Sequence, residues 1–124
     1  MITGSVKSDE ARIRLKVRGR GGREEEFEAV IDSGYTGTLT LPPALITLLD
    51  LRWQSVQRAT LADGSTCVFQ VYVGKLLWDD KVRTILVDEA DADPLVGMKL
   101  LRGHELQMQI RYRGKVIIKR LPHR

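Results

Sequence analysis

Few residues in this chain have types and spacings that could do chemistry. Asp32 follows the apolar run Ala29-Val30-Ile31 and precedes Ser33-Gly34. A carboxylate at the end of an apolar strand is expected to be partly buried, with a hydroxyl and a closely approaching glycine backbone beside it. Such a carboxylate can act as a general base or acid if a second one lies nearby. Two histidines, His104 and His123, read as solvated surface residues, His104 on the polar face of a helix. Ser33 has no Gly-x-Ser-x-Gly around it and so lacks the elbow of a serine hydrolase. Cys67, the only cysteine, sits beside Val68 and Phe69 and reads as an inert core thiol. Asp79-Asp80 and the run Asp88, Glu89, Asp91 and Asp93 lack the glycine and the spacing of a calcium loop. No metal and no cofactor is therefore expected.

Strand signals surround Asp32. Ile13, Leu15 and Val17 alternate with Arg12, Arg14, Lys16 and Arg18, the period of a half-buried strand. Gly19 to Gly22 turn the chain into a second strand over Glu24 to Ile31, whose Glu24, Glu26 and Glu28 can face the basic row. Beyond Asp32 comes a loop holding Gly34 and Gly37, then Thr38 to Leu41. Pro42-Pro43 introduce a short helix over Ala44 to Leu51. Strand-like residues resume from Trp53 to Leu61. Asp63-Gly64 reads as a two-residue hairpin turn before Ser65 to Val73, and Asp79-Asp80 as a second hairpin turn before Arg83 to Val87. Asp88 to Asp93, with Pro94, reads as a loop. Leu95-Val96-Gly97 leads into a second helix over Met98 to Leu106. Gln107 to Tyr112 and Lys115 to Lys119 form a last hairpin. The sum is an all-β domain of seven to nine short strands with one or two short helices.

The chain has 124 residues, 20 of them Lys or Arg and 16 Asp or Glu, for a net charge of +4. That length suits one domain, 1–124, and is too short for an active site built between two duplicated lobes. One cysteine excludes an internal disulfide framework. No apolar run is long enough to span a bilayer, and the polar start shows no secretory signal, so a reducing cytoplasmic setting is expected. Lys99 to Arg124 carries a net +7 and Asp79 to Asp93 a net −4. A nucleic-acid partner is not expected, because no aromatic platform, zinc spacing or recognition helix accompanies the basic end. The two segments can instead attract each other within a chain or between copies.

The motifs taken in order carry a resemblance. Ala29-Val30-Ile31-Asp32-Ser33-Gly34 resembles the catalytic motif of the retropepsin-like aspartic proteases. Leu95-Val96-Gly97-Met98 with Leu100-Leu101 resembles that family's second signature, and the Asp63-Gly64 hairpin lies between the two, where the family has its flap. The likeness covers Arg12 to Gln109. It is closest to bacterial single-lobe members, which have an aromatic after the triplet and a Leu-Pro like Leu41-Pro42. The resemblance implies a small, closed, barrel-like acid-protease fold and an aspartic endopeptidase acting on peptide or protein substrates. It implies Asp32, Ser33 and Gly34 as catalytic residues, Ser33 bracing the site across a subunit interface. It also implies Tyr35, Ala62, Asp63, Gly64 and Ser65 as substrate-binding residues. Only one Asp-Ser-Gly is present, so the second carboxylate must come from another copy in a C2 homodimer. Tyr35 stands where retroviral members carry a small residue, which reshapes the pocket beside the dyad. Asp63 places a charge in a flap tip that is apolar in those members. The alternative is a non-catalytic dimerisation or peptide-binding module that keeps the fold.

Overall fold

The alternation at Arg12 to Arg18 is realised in β2 (Glu10–Arg18), which buries Ile13, Leu15 and Val17. This computed structural model describes residues 1–123. β3 (Glu24–Ile31) returns antiparallel to β2. On the outer face Arg14 pairs with Glu26 at 3.0 Å, Arg18 with Glu24 at 2.9 Å and Arg12 with Glu28 at 3.4 Å. Much of the charge near the start of the chain is therefore neutralised across one hairpin, where such pairs help set register.

Next come β4 (Leu39–Leu41) and α1 (Pro43–Leu49). α1 begins on Pro42-Pro43, buries Ile46 and Leu49, and ends at Asp50 in a left-handed conformation. A long hairpin then joins β5 (Arg52–Thr60) to β6 (Thr66–Trp78). β7 (Lys81–Glu89) pairs back along β6 through Asp79-Asp80, both at positive φ (50° and 66°). A two-residue turn with both residues at positive φ matches the twist of the strands it joins. β8 (Leu95–Val96), α2 (Met98–Leu101), β9 (His104–Met108) and β10 (Lys115–Arg120) are the remaining elements after β7 among the described residues.

The ten strands form one sheet in the order β5-β6-β7-β4-β8-β3-β2-β1-β10-β9, where β1 is Ile2–Lys7. β2 also pairs with β6 at Lys16 to Arg18, so pairings run in a ring through β2, β3, β8, β4, β7 and β6. Inside it lie Val17, Ala29, Leu39, Leu76, Val87 and Val96, all fully buried. Each large aliphatic buried this way contributes about 1.5–3 kcal/mol. The class is all-β, as expected.

Several local readings are corrected. β1 was not anticipated, because Ile2 to Lys7 is mostly polar. Its place comes from backbone pairing to both β2 and β10, and only Val6 is buried. The second helix is one turn, not nine residues: Gly103 at φ 82° breaks it, and His104 onward pairs with β10. The turn at Asp63-Gly64 spans Leu61 to Ser65 rather than two residues. There the Asp63 carboxylate accepts hydrogen bonds from the Ser65 N–H (2.8 Å) and hydroxyl (2.6 Å). Asp88 and Glu89 are not loop residues but the end of β7, paired with Thr40 and Leu41. Cys67 is exposed, because this part of the β5–β6 hairpin presents its side chains to solvent. His104 opens β9 half-buried and accepts a 3.2 Å hydrogen bond from the Trp78 indole; its other ring nitrogen lies 3.0 Å from the Arg102 carbonyl. The basic end and the acidic segment meet within one chain, where Arg120 lies 3.8 Å from Asp79.

Candidate active site

β8 lies between β3 and β4, parallel to the first and antiparallel to the second. This insertion brings the two motifs together. The N–H of Val30 donates to the Pro94 carbonyl and that of Asp32 to the Val96 carbonyl, each at 2.9 Å. On the other edge Gly97 N–H donates to Thr38 at 3.0 Å, and Leu95 N–H to the Thr40 hydroxyl at 2.9 Å. Thr40 is the one buried polar residue among those described, and its hydroxyl satisfies a donor that β4 and β8 leave unpaired. Met98 and Lys99 N–H groups, at the start of α2, close on the carbonyls of Tyr35 and Gly37. The loop from Asp32 to Thr38 is thus held on both sides by residues 94–99.

This stitching explains the glycine of the second motif. A Cβ on Gly97 would lie 2.2 Å from the Gly37 carbonyl oxygen and 2.6 Å from the Tyr35 ring. Any side chain there would drive the two segments apart.

Asp32 is half-buried at the end of β3. One carboxylate oxygen accepts the Gly34 N–H at 2.9 Å, and the Asp32 carbonyl accepts the Tyr35 N–H at 3.1 Å. Among the described residues Asp32 has no ion-pair partner. Its carboxylate is therefore oriented by backbone and keeps one oxygen for another group. Ser33 and Gly34 are exposed beside it.

Tyr35 lines two clefts, together with Phe69 and Asp88. Its hydroxyl donates to Asp88 Oδ2 at 2.6 Å. Burial, reinforced by the Asp88 carboxylate, pushes its phenol well above the ordinary tyrosine value. One cleft, of about 510 Å³, is lined by Tyr35, Val68, Phe69, Asp88, Glu89 and Asp91, among others. The second, of about 540 Å³, takes in Tyr35, Gly37, Arg58, Phe69, Asp88 and Lys99. Both volumes fall in the range of ligand-binding clefts.

Neither a family model nor a curated protein matches the chain.

The expected site residues divide into two groups. Asp32, Ser33, Gly34 and Tyr35 share one loop, but Asp32 lines neither cleft. Ala62, Asp63, Gly64 and Ser65 sit exposed at the tip of the β5–β6 hairpin and line neither cleft; the hairpin stem does so instead. Asp88 is the residue that sequence reasoning missed. Its signal was the alternation Ile85, Val87 running up to it, which continues the strand to Glu89. Among the described residues no group of three or more His, Cys, Asp or Glu is arranged to hold a metal ion, and no helix is long and apolar enough to cross a membrane.

Proposed function

We propose that this chain is half of a retropepsin-like aspartic endopeptidase, completed by a second copy about a two-fold axis. The observation that carries the proposal is the joining of the two motifs. The Asp32 N–H is bonded to the Val96 carbonyl, while Gly97 packs against Gly37 and Tyr35. An aspartate braced in this way, half-exposed and with one oxygen uncommitted, suits meeting its symmetry copy. Two carboxylates brought within a few ångström, as this reading requires, share one proton. The ionised one takes a proton from water, and the protonated one donates to the scissile carbonyl oxygen as the water attacks. The tetrahedral diol then collapses as the leaving amine takes up a proton. No covalent enzyme intermediate forms. On this reading Ser33 and Gly34 touch the partner loop, and the β5–β6 hairpin tip, Ala62 to Ser65, closes over a bound peptide.

The test is cleavage of a peptide library between about pH 4 and 7 by the wild type and by Asp32→Asn. Wild-type cleavage that falls at least ~100-fold in the variant is the expected result. Equal turnover by both removes the assignment. A second reading, a peptide-binding module without catalysis, is favoured by one observation: Asp32 lines neither cleft, while Tyr35 and the hairpin stem line both. It predicts no wild-type cleavage and unchanged peptide binding in Asp32→Asn.

A further inference from the structure

We propose that the cleft between Tyr35, the β5–β6 hairpin stem and the end of β7 is a specificity pocket for a lysine or arginine side chain of the bound peptide. This rests on the reading of the chain as a peptide-binding protein, with or without cleavage, and names the substrate class.

The cleft, about 510 Å³, has apolar and aromatic walls in Tyr35, Val68 and Phe69, and the acidic residues Asp88, Glu89 and Asp91 also line it. Val68 is 57% exposed, so this wall is open to a ligand rather than packed into the core. Glu24, Glu26 and Glu28 each face an arginine, whereas Asp88, Glu89 and Asp91 enter no ion pair among the described residues. Asp88 is fixed in direction by the Tyr35 hydroxyl on one of its oxygens.

A long cationic side chain matches both parts of this lining. Its methylene stem lies along apolar surface while its head reaches the carboxylates, and a guanidinium can stack on an aromatic ring. A neutral apolar side chain would fill the walls but strip water from the carboxylates without pairing them. An acidic one would be repelled. The other cleft that Tyr35 lines carries Arg58 and Lys99. The two clefts thus differ in sign, and a peptide lying across Tyr35 is directed to place its cation on one side.

The probes are mixtures of blocked octapeptides, randomised except for one position fixed as Lys, Arg, norleucine or Glu. Binding is measured to full-chain Asp32→Asn protein, and cleavage is measured separately with the wild type. At one position Lys and Arg are expected to bind about tenfold tighter than norleucine, with Glu weakest. Added salt should shrink the difference. On the same background Asp91→Lys, in an exposed loop, should reduce the preference to within about twofold, and Glu89→Gln should weaken it. The proposal is overturned if no mixture binds, if no position favours a cation, or if the preference survives both substitutions. Cation-selective binding without wild-type cleavage keeps the pocket and removes the protease. Cleavage without cation preference does the reverse.

Discussion

The hydroxyl of Tyr35 donates a 2.6 Å hydrogen bond to Asp88, tying the loop after Asp32 to the end of β7. The bond crosses the sheet between two segments far apart in sequence and joins two residues that line both clefts. Tyr35→Phe removes the donor and leaves a half-buried carboxylate without it, so unfolding free energy should fall by about 1–3 kcal/mol in urea titrations. The sign of the alkaline response follows from the raised phenol. Below the unfolded tyrosine value, near pH ~10, its contribution is fully present; it is lost as pH rises through the higher folded value. Wild-type stability should therefore decline above about pH 10, and Tyr35→Phe should decline less. Tyr72, also raised by burial and by Glu89, leaves a residual slope.

At the acid end the sign reverses. Glu28 is held below the ordinary carboxylate value by hydrogen bonds from Lys7 and Arg12, and Glu26 by Arg14. Their contribution is present above the unfolded glutamate value, about pH 4.3, and is lost as pH falls through the lower folded values. Stability measured from pH 6 down to pH 2 should fall, with a shallower fall in the Glu26→Gln/Glu28→Gln protein, where ~pH 4 marks the onset. Asp63, lowered by Ser65, keeps part of the slope in the variant.

Two glycines separate fold from site. Gly97→Ala forces a Cβ against the Gly37 carbonyl oxygen and should destabilise the protein by at least ~2 kcal/mol in thermal unfolding. Gly34→Ala meets only the Asp32 carboxylate, at 3.3 Å. It should unfold within ~0.5 kcal/mol of the wild type, yet lose about tenfold or more of any peptidase activity by displacing that carboxylate.

Cys67 should react in the native protein with an aromatic disulfide reagent as fast as in the denatured chain, to within about tenfold. Cys67→Ser should change stability by less than ~0.5 kcal/mol. A thiol that reacts only after unfolding would contradict its exposed position.

What the sequence made legible was local. Ile13, Leu15 and Val17 announce their strand because one buried face imposes a period of two. Asp79-Asp80 announces its turn because the two residues tolerate positive φ. The joining of Asp32 to Val96 was legible only as order and spacing, since a ladder between distant segments leaves no local pattern. β1 was silent for the same reason: its backbone pairs on both edges while one side chain, Val6, is fully buried. Cys67 and Val68 misled in the opposite direction. Apolar residues normally mark a core, but here they line an open cleft, where exposed apolar surface has a binding use. Asp88 was hidden among loop carboxylates because its partner, the Tyr35 hydroxyl, comes from across the sheet.

The most direct measurement is peptide cleavage by a fixed amount of wild type mixed with increasing Asp32→Asn protein, after time for subunits to exchange. If each active site needs one Asp32 from each of two copies, mixed dimers are inactive. Activity should then fall to about half at an equal amount of variant and to about a tenth at a ninefold excess. Cleavage that is indifferent to added variant would show that one chain suffices and would contradict the shared site.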